Sequence, residues 1–123
     1  MVLVDTSVWI NHLRTSDRHL KNLLLNGEVF CHPHIIGELA CGNIKNRQEI
    51  ISLLQELPQT PLVEFEEFLY FIDQNKLHGK GIGFVDIHLL ASAKLGQIPL
   101  WTGDKRLQSA SAEINLKYKK KRL

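Results

Sequence analysis

No stretch of this chain is apolar for long enough to cross a bilayer, which takes about 20 residues; charge or glycine interrupts every hydrophobic run well before that. Behind Met1 there is neither a basic leading segment nor a small-residue cleavage site, so a secretory signal is not expected and the cytoplasm is the expected compartment. Cysteine is scarce. Cys31 and Cys41 form no CxxC pair and no Cys/His array with zinc spacing, which leaves them as reduced structural thiols. His12, His32, His34, His78 and His88 make no HExxH or paired Cys/His motif, and this argues against a zinc centre or a histidine catalyst. A phosphate loop of the GxxxxGK(S/T) type is missing, and Gly79, Gly81 and Gly83 lack the preceding strand and the spacing of a dinucleotide fingerprint. Internal repeats, low-complexity segments and dividing linkers are missing as well.

What remains reads as one compact domain over residues 1–123. A hydrophobic share of 44% and a charged share of 23% suit a globular core rather than a disordered or fibrous chain. The net charge of +2 conceals a basic tail over residues 117–123, where Lys117, Lys119, Lys120, Lys121 and Arg122 crowd together. Such a run is either a solvated terminus or an attractor of phosphate groups.

Val2, Leu3 and Val4 form an apolar run that ends in Asp5, Thr6 and Ser7, the pattern of a buried strand followed by capping residues and a helix through Trp9, Ile10 and Leu13. Helices are expected over residues 17–25, stopped by Gly27, and over residues 34–44, 48–57 and 66–77. Residues 28–32 read as a short extended link, 61–63 as a short strand and 80–83 as a loop. A strongly patterned helix follows over residues 84–95, with Gly96 as its C′ residue, and then a strand over 98–101 and a last edge strand over 114–116. Alternating strands and helices predict an α/β domain with a mostly parallel sheet. In such sheets ligands sit beyond the carboxyl ends of the strands, where Asp5 and Asp104 both fall.

Four acids stand out: Asp5 after the first strand, Glu38 beside an apolar helix face, Asp86 in the first turn of a helix, and Asp104 after the late strand. Singly, each has a structural reading as a cap, a complement to the helix dipole or a turn residue. As a set, acids converging on one crevice would raise one another's pKa unless a cation held them. Oxygen ligands without Cys or His suit Mg²⁺ or Mn²⁺, ions that serve phosphodiester hydrolysis.

The DTSxWI run from Asp5 to Ile10, the helix acid Glu38, the FVDxxxxAxA run from Phe84 to Ala93, and the TGD of Thr102 to Asp104 together resemble the PIN domain. Within it, the chain is most similar to the VapC toxins of VapBC toxin–antitoxin pairs, over nearly its whole length. The resemblance implies a three-layer α/β fold, divalent-metal endoribonuclease activity on RNA, a homodimer, and inhibition by a cognate antitoxin protein. Carried over by position, it makes Asp5, Glu38, Asp86 and Asp104 the metal-binding acids, Asp5 and Asp86 foremost, with Thr6 or Ser7 and Thr102 orienting them. Many members have another acid where this chain has Arg106. Two other readings compete: a receiver-like or inactive PIN-like module that binds partners, and an aspartyl-phosphate phosphatase. The phosphatase needs a carboxylate two residues after Asp5, and Ser7 stands there.

Overall fold

The computed structural model describes residues 1–120; residues 121–123 of the expected basic tail lie outside the described residues. Three short parallel strands form the sheet: β1 (Val2–Val4), β2 (Val29–Phe30) and β3 (Leu100–Trp101), in the order β2-β1-β3. Val2 pairs with Val29 on one side of β1, and Leu3 and Val4 pair with Leu100 and Trp101 on the other. All three β1 residues are buried, so both faces of the central strand are covered. A parallel sheet between two helical layers requires such a strand, and the architecture is the expected three-layer α/β one.

Seven helices are described: α1 (Thr6–Thr15), α2 (Arg18–Leu25), α3 (Pro33–Cys41), α4 (Arg47–Glu56), α5 (Phe65–Asn75), α6 (Phe84–Gly96) and α7 (Lys105–Glu113). Leu3, Leu20, Ile35, Leu39, Leu89, Leu90, Leu100 and Leu107 are fully buried in one cluster, which ties the sheet to α2, α3, α6 and α7. None of the described helices is long and apolar enough to cross a membrane.

Several elements differ from what the sequence suggests. The expected link over 28–32 contains β2, and Cys31 extends it by a bridge to Gln59. The chain touches the sheet there at Gln59, and residues 61–63 form no strand: Pro61 has no N–H to give and Leu62 is exposed. The strand expected over 98–101 narrows to Leu100 and Trp101, because the Ile98 N–H is spent closing α6 on the Ala93 carbonyl. The edge strand expected over 114–116 does not form; the chain meets the sheet just beyond it, at a single parallel bridge between Leu100 and Lys117, where Leu100 N–H donates to the Leu116 carbonyl and Tyr118 N–H donates to that of Leu100. Gly96 is the last residue of α6 and Gln97 takes the left-handed turn at φ 54°. The glycine serves packing instead: a Cβ there would stand 2.9 Å from Ile98 Cδ1 and 3.1 Å from Pro61 Cδ. The helix α7 has no counterpart in the sequence reading.

Candidate active site

The positions of the four acids follow from local structure. β1 ends where Asp5 begins α1 as its N-cap, with Oδ1 accepting the Thr6 N–H at 2.7 Å. β3 ends three residues before Asp104, which caps α7 by accepting the Leu107 N–H at 3.0 Å. Asp is favoured at N-caps because its carboxylate satisfies amides that the first turn leaves without partners. Since Val4 pairs with Trp101, the segments that follow the two strands emerge side by side. Asp86 enters from the first turn of α6, and Glu38 from the middle of α3.

Hydroxyls bind these pieces together. Thr102 Oγ1 donates to Asp5 Oδ2 at 2.7 Å and accepts the Asp104 N–H at 3.1 Å, so one buried side chain spans two of the acids. Ser7 Oγ donates to the same Asp5 oxygen at 3.2 Å and accepts the Gly103 N–H at 3.0 Å. Thr6 Oγ1 donates to Glu38 Oε1 at 2.7 Å and joins α1 to α3. Thr6 and Ser7 thus each hold a different acid. Asp5 is nearly buried, and three donors compensate its lost hydration. Gln108 steadies the strand end by donating to the Thr102 carbonyl at 2.8 Å, a role for which the sequence carries no signal.

Electrostatically the four acids act on one another. Burial first, and then the charges of Asp5, Glu38 and Asp104, push the Asp86 carboxyl up from 3.8 to about 6. Among the described residues no salt bridge engages any of the four; the ion pair found there is Lys80 with Glu113 at 2.8 Å. Arg106 is exposed and lies over the loop before α6, where a Cβ on Gly81 would stand 2.5 Å from its Nη1.

The donor set fits a hard divalent ion. Asp5 is largely engaged, but among the described residues no protein donor reaches Asp86, Glu38 Oε2 or Asp104 Oδ2. These oxygens have the chemistry that Mg²⁺ and Mn²⁺ accept. Among the described residues, no three His, Cys, Asp or Glu side chains already stand close enough to enclose an ion without moving.

Sequence spacing also hid a histidine cluster. His32 accepts the His34 N–H at Nδ1 and lies 3.1 Å from Ser92 Oγ through Nε2, while His34 stacks on His88. Burial, then His34 and His88, lower the His32 pKa to about 4; burial, then His34, lower that of His88. Cys31 is buried and its thiol pushed up to about 11, chiefly by burial, so it is inert; Cys41 is exposed. Trp9 belongs to the core, while Trp101 is half-buried with His19 and Tyr118 around it.

Comparison with known proteins adds an independent line. The PIN domain family matches residues 2–113. Two proteins called Ribonuclease VapC32, from two strains of Mycobacterium tuberculosis, are each 50% identical over 114 residues, which is 92% of this chain and 92% of theirs.

Proposed function

The chain belongs to the PIN-domain family, and from that membership we propose that it is an endoribonuclease, the toxin of a toxin–antitoxin pair, which hydrolyses RNA phosphodiester bonds with a divalent metal. The observation that carries this reading is the state of Asp86, a half-buried carboxyl pushed up first by burial and then by three other carboxylates. Like charges gathered around oxygens that no protein donor fills favour a hard cation between them. Asp5 and Asp86 are the principal ligands, completed by Glu38 and Asp104. A Mg²⁺ or Mn²⁺ ion bound there supplies neutralisation of phosphate charge and acidifies an attacking water.

The chain's own contribution is orientation. Thr102 and Ser7 fix the Asp5 carboxylate plane, Thr6 aims Glu38, and Thr102 sets the backbone of Asp104. The test is cleavage of single-stranded and structured RNAs with and without Mg²⁺ or Mn²⁺. Asp5→Asn and Asp104→Asn should each abolish it and keep a native circular dichroism spectrum, because Asn retains the oxygen that caps the helix. Full activity in either variant would sink the site assignment.

The antitoxin berth in this reading is an apolar groove of about 630 Å³ beside Glu38, walled by Ile10, Leu13, Leu39, Ile44 and Ile50 with Arg14 and Lys45 at its edge. An amphipathic helix with acidic flanks suits such a groove. The homodimer would use the side chains that α5 leaves exposed, Phe65, Leu69 and Tyr70. Unchanged sedimentation of Tyr70→Asp relative to the parent would remove that assignment.

A further inference from the structure

His34 lies one helical turn before Glu38 on α3, so the two side chains share a face. Its ring is also the last of a column of four. Phe65 and Phe68 on α5 stack at 6.3 Å and 21°, Phe68 and His88 at 4.0 Å and 16°, and His88 and His34 at 5.0 Å and 15°. Phe68 and His88 are buried, and His34 is half-buried. The column does not continue into the protein, since the next ring, the buried His32, is turned 49° from that of His34. Beside His34, the exposed Pro33, Gly37, Glu38 and Cys41 border an open depression. Gly37 is a helix-interior glycine, which weakens the helix, yet no atom lies within 4 Å of where its Cβ would stand. Packing therefore does not require the glycine, and its effect is to leave the surface next to His34 open.

We infer that this face of α3 is a nucleobase subsite, in which a base flanking the phosphate held by the carboxylates stacks on the His34 ring and lies over Gly37. The inference rests on the nuclease reading and deepens it. Bases of single-stranded RNA stack on His and Phe rings whatever their identity, and a ring backed by three others is held in place before the base arrives. Contiguity with Glu38 selects RNA over other occupants, because a strand whose phosphate reaches the acids carries a base within reach of that side chain.

The experiment measures fluorescence anisotropy of short single-stranded RNAs with Mg²⁺, in the Asp104→Asn background to prevent cleavage, with one abasic nucleotide moved along the strand. One abasic position should weaken binding by roughly tenfold, the scale of losing one base–aromatic stack. His34→Ala should weaken intact RNA by a similar factor and erase the penalty at that position alone, whereas His34→Phe should preserve both. Gly37→Leu should weaken binding while its melting temperature holds or rises. Equal abasic penalties with and without the His34 ring would overturn the inference, as would unaltered binding in Gly37→Leu. That second variant decides the matter if His34→Ala fails to fold. Should Gly37→Leu change sedimentation and leave RNA binding unchanged, the face is a protein interface and the inference falls. Absence of RNA binding and cleavage in the unsubstituted chain would refute the nuclease reading itself, a different outcome from additive penalties in a chain that binds and cuts.

Discussion

Replacing Asp86 by Asn removes one of four mutually repelling charges while keeping the shape of the side chain. The carboxyl rises from 3.8 to about 6 through burial, Asp5, Glu38 and Asp104. Each unit corresponds to about 1.4 kcal/mol, so the gross effect is roughly 3 kcal/mol. Half the group faces solvent and screening discounts the figure to about 1 kcal/mol. A carboxyl raised in the folded state favours folding fully below its unfolded pKa and loses that advantage as pH climbs through the folded one. The cost of Asp86 is therefore absent below about pH 4 and complete above about pH 7. At pH 7.5 without divalent metal, Asp86→Asn should melt about 3 to 5 °C higher than the parent, less a few tenths of a kcal/mol of lost helix-dipole interaction. At pH 4 the difference should vanish. Adding Mg²⁺ at about five times its dissociation constant should stabilise the parent by roughly 1 kcal/mol and the variant by less, and NaCl at matched ionic strength should do neither. Differential scanning fluorimetry across pH and ion reads all of this. If Asp86→Asn melts lower at pH 7.5 and keeps the full divalent shift, Asp86 is an ordinary helix-start residue and the four-carboxylate site is wrong.

Thr102→Val removes the donor to Asp5 and the acceptor for Asp104; cleavage should fall steeply and stability by about 2 kcal/mol, and activity equal to the parent would refute the positioning role. Exchanging Lys117, Lys119 and Lys120 for Gln should lower the slope of log affinity against log salt by about 0.7 for each residue that touches RNA phosphate, and an unchanged slope would leave the tail a solvated terminus. Substitution is preferable to truncation because Tyr118 is hydrogen-bonded to Leu100 and to His19. Co-expression with the neighbouring open reading frame should relieve growth arrest and give a co-purifying complex; failure of both would remove the toxin reading and leave nuclease activity to stand alone.

Asp5, Asp86 and Asp104 were legible in sequence because they sit at element boundaries, where local chemistry is strongest, whereas Glu38 lies in the middle of α3 and had only its place beside an apolar face to mark it. A buried apolar triplet running into Asp5, Thr6 and Ser7 announces a strand end and a helix cap at once, and Asp104 repeats the arrangement after β3. Other features depend on tertiary context. The helix α7 is covered through Leu107, Ala110 and Ser111, small or isolated residues that make no apolar stripe by themselves. Pro61, Leu62 and Val63 have the composition of a strand but lack the neighbours and the N–H that would make one. Gly96 looks like a turn residue, yet Pro61 and Ile98 are the reason for it. His34 and His88 are 54 positions apart in the chain, and spacing rules within one segment have no means of joining them. The division of labour between Thr6 and Ser7 was open for the same reason, since it depends on where α3 presents Glu38.

Two of the four acids hold up helices as well as facing the site, and this shapes how such a protein would be lost by mutation. In cells that carry it without an inhibitor, survival selects for inactivating changes. Most replacements at Asp5 or Asp104 would silence the chain and also uncap α1 or α7, at a cost of about 0.5 to 2 kcal/mol, so they would reduce its abundance too. Glu38 caps nothing and its one side-chain hydrogen bond, to Thr6, is exposed, so changes there would cost less stability and leave an inert but abundant protein. The escape mutants from one culture would therefore fall into two classes on an immunoblot: depleted chains altered at the caps, and abundant ones altered at Glu38.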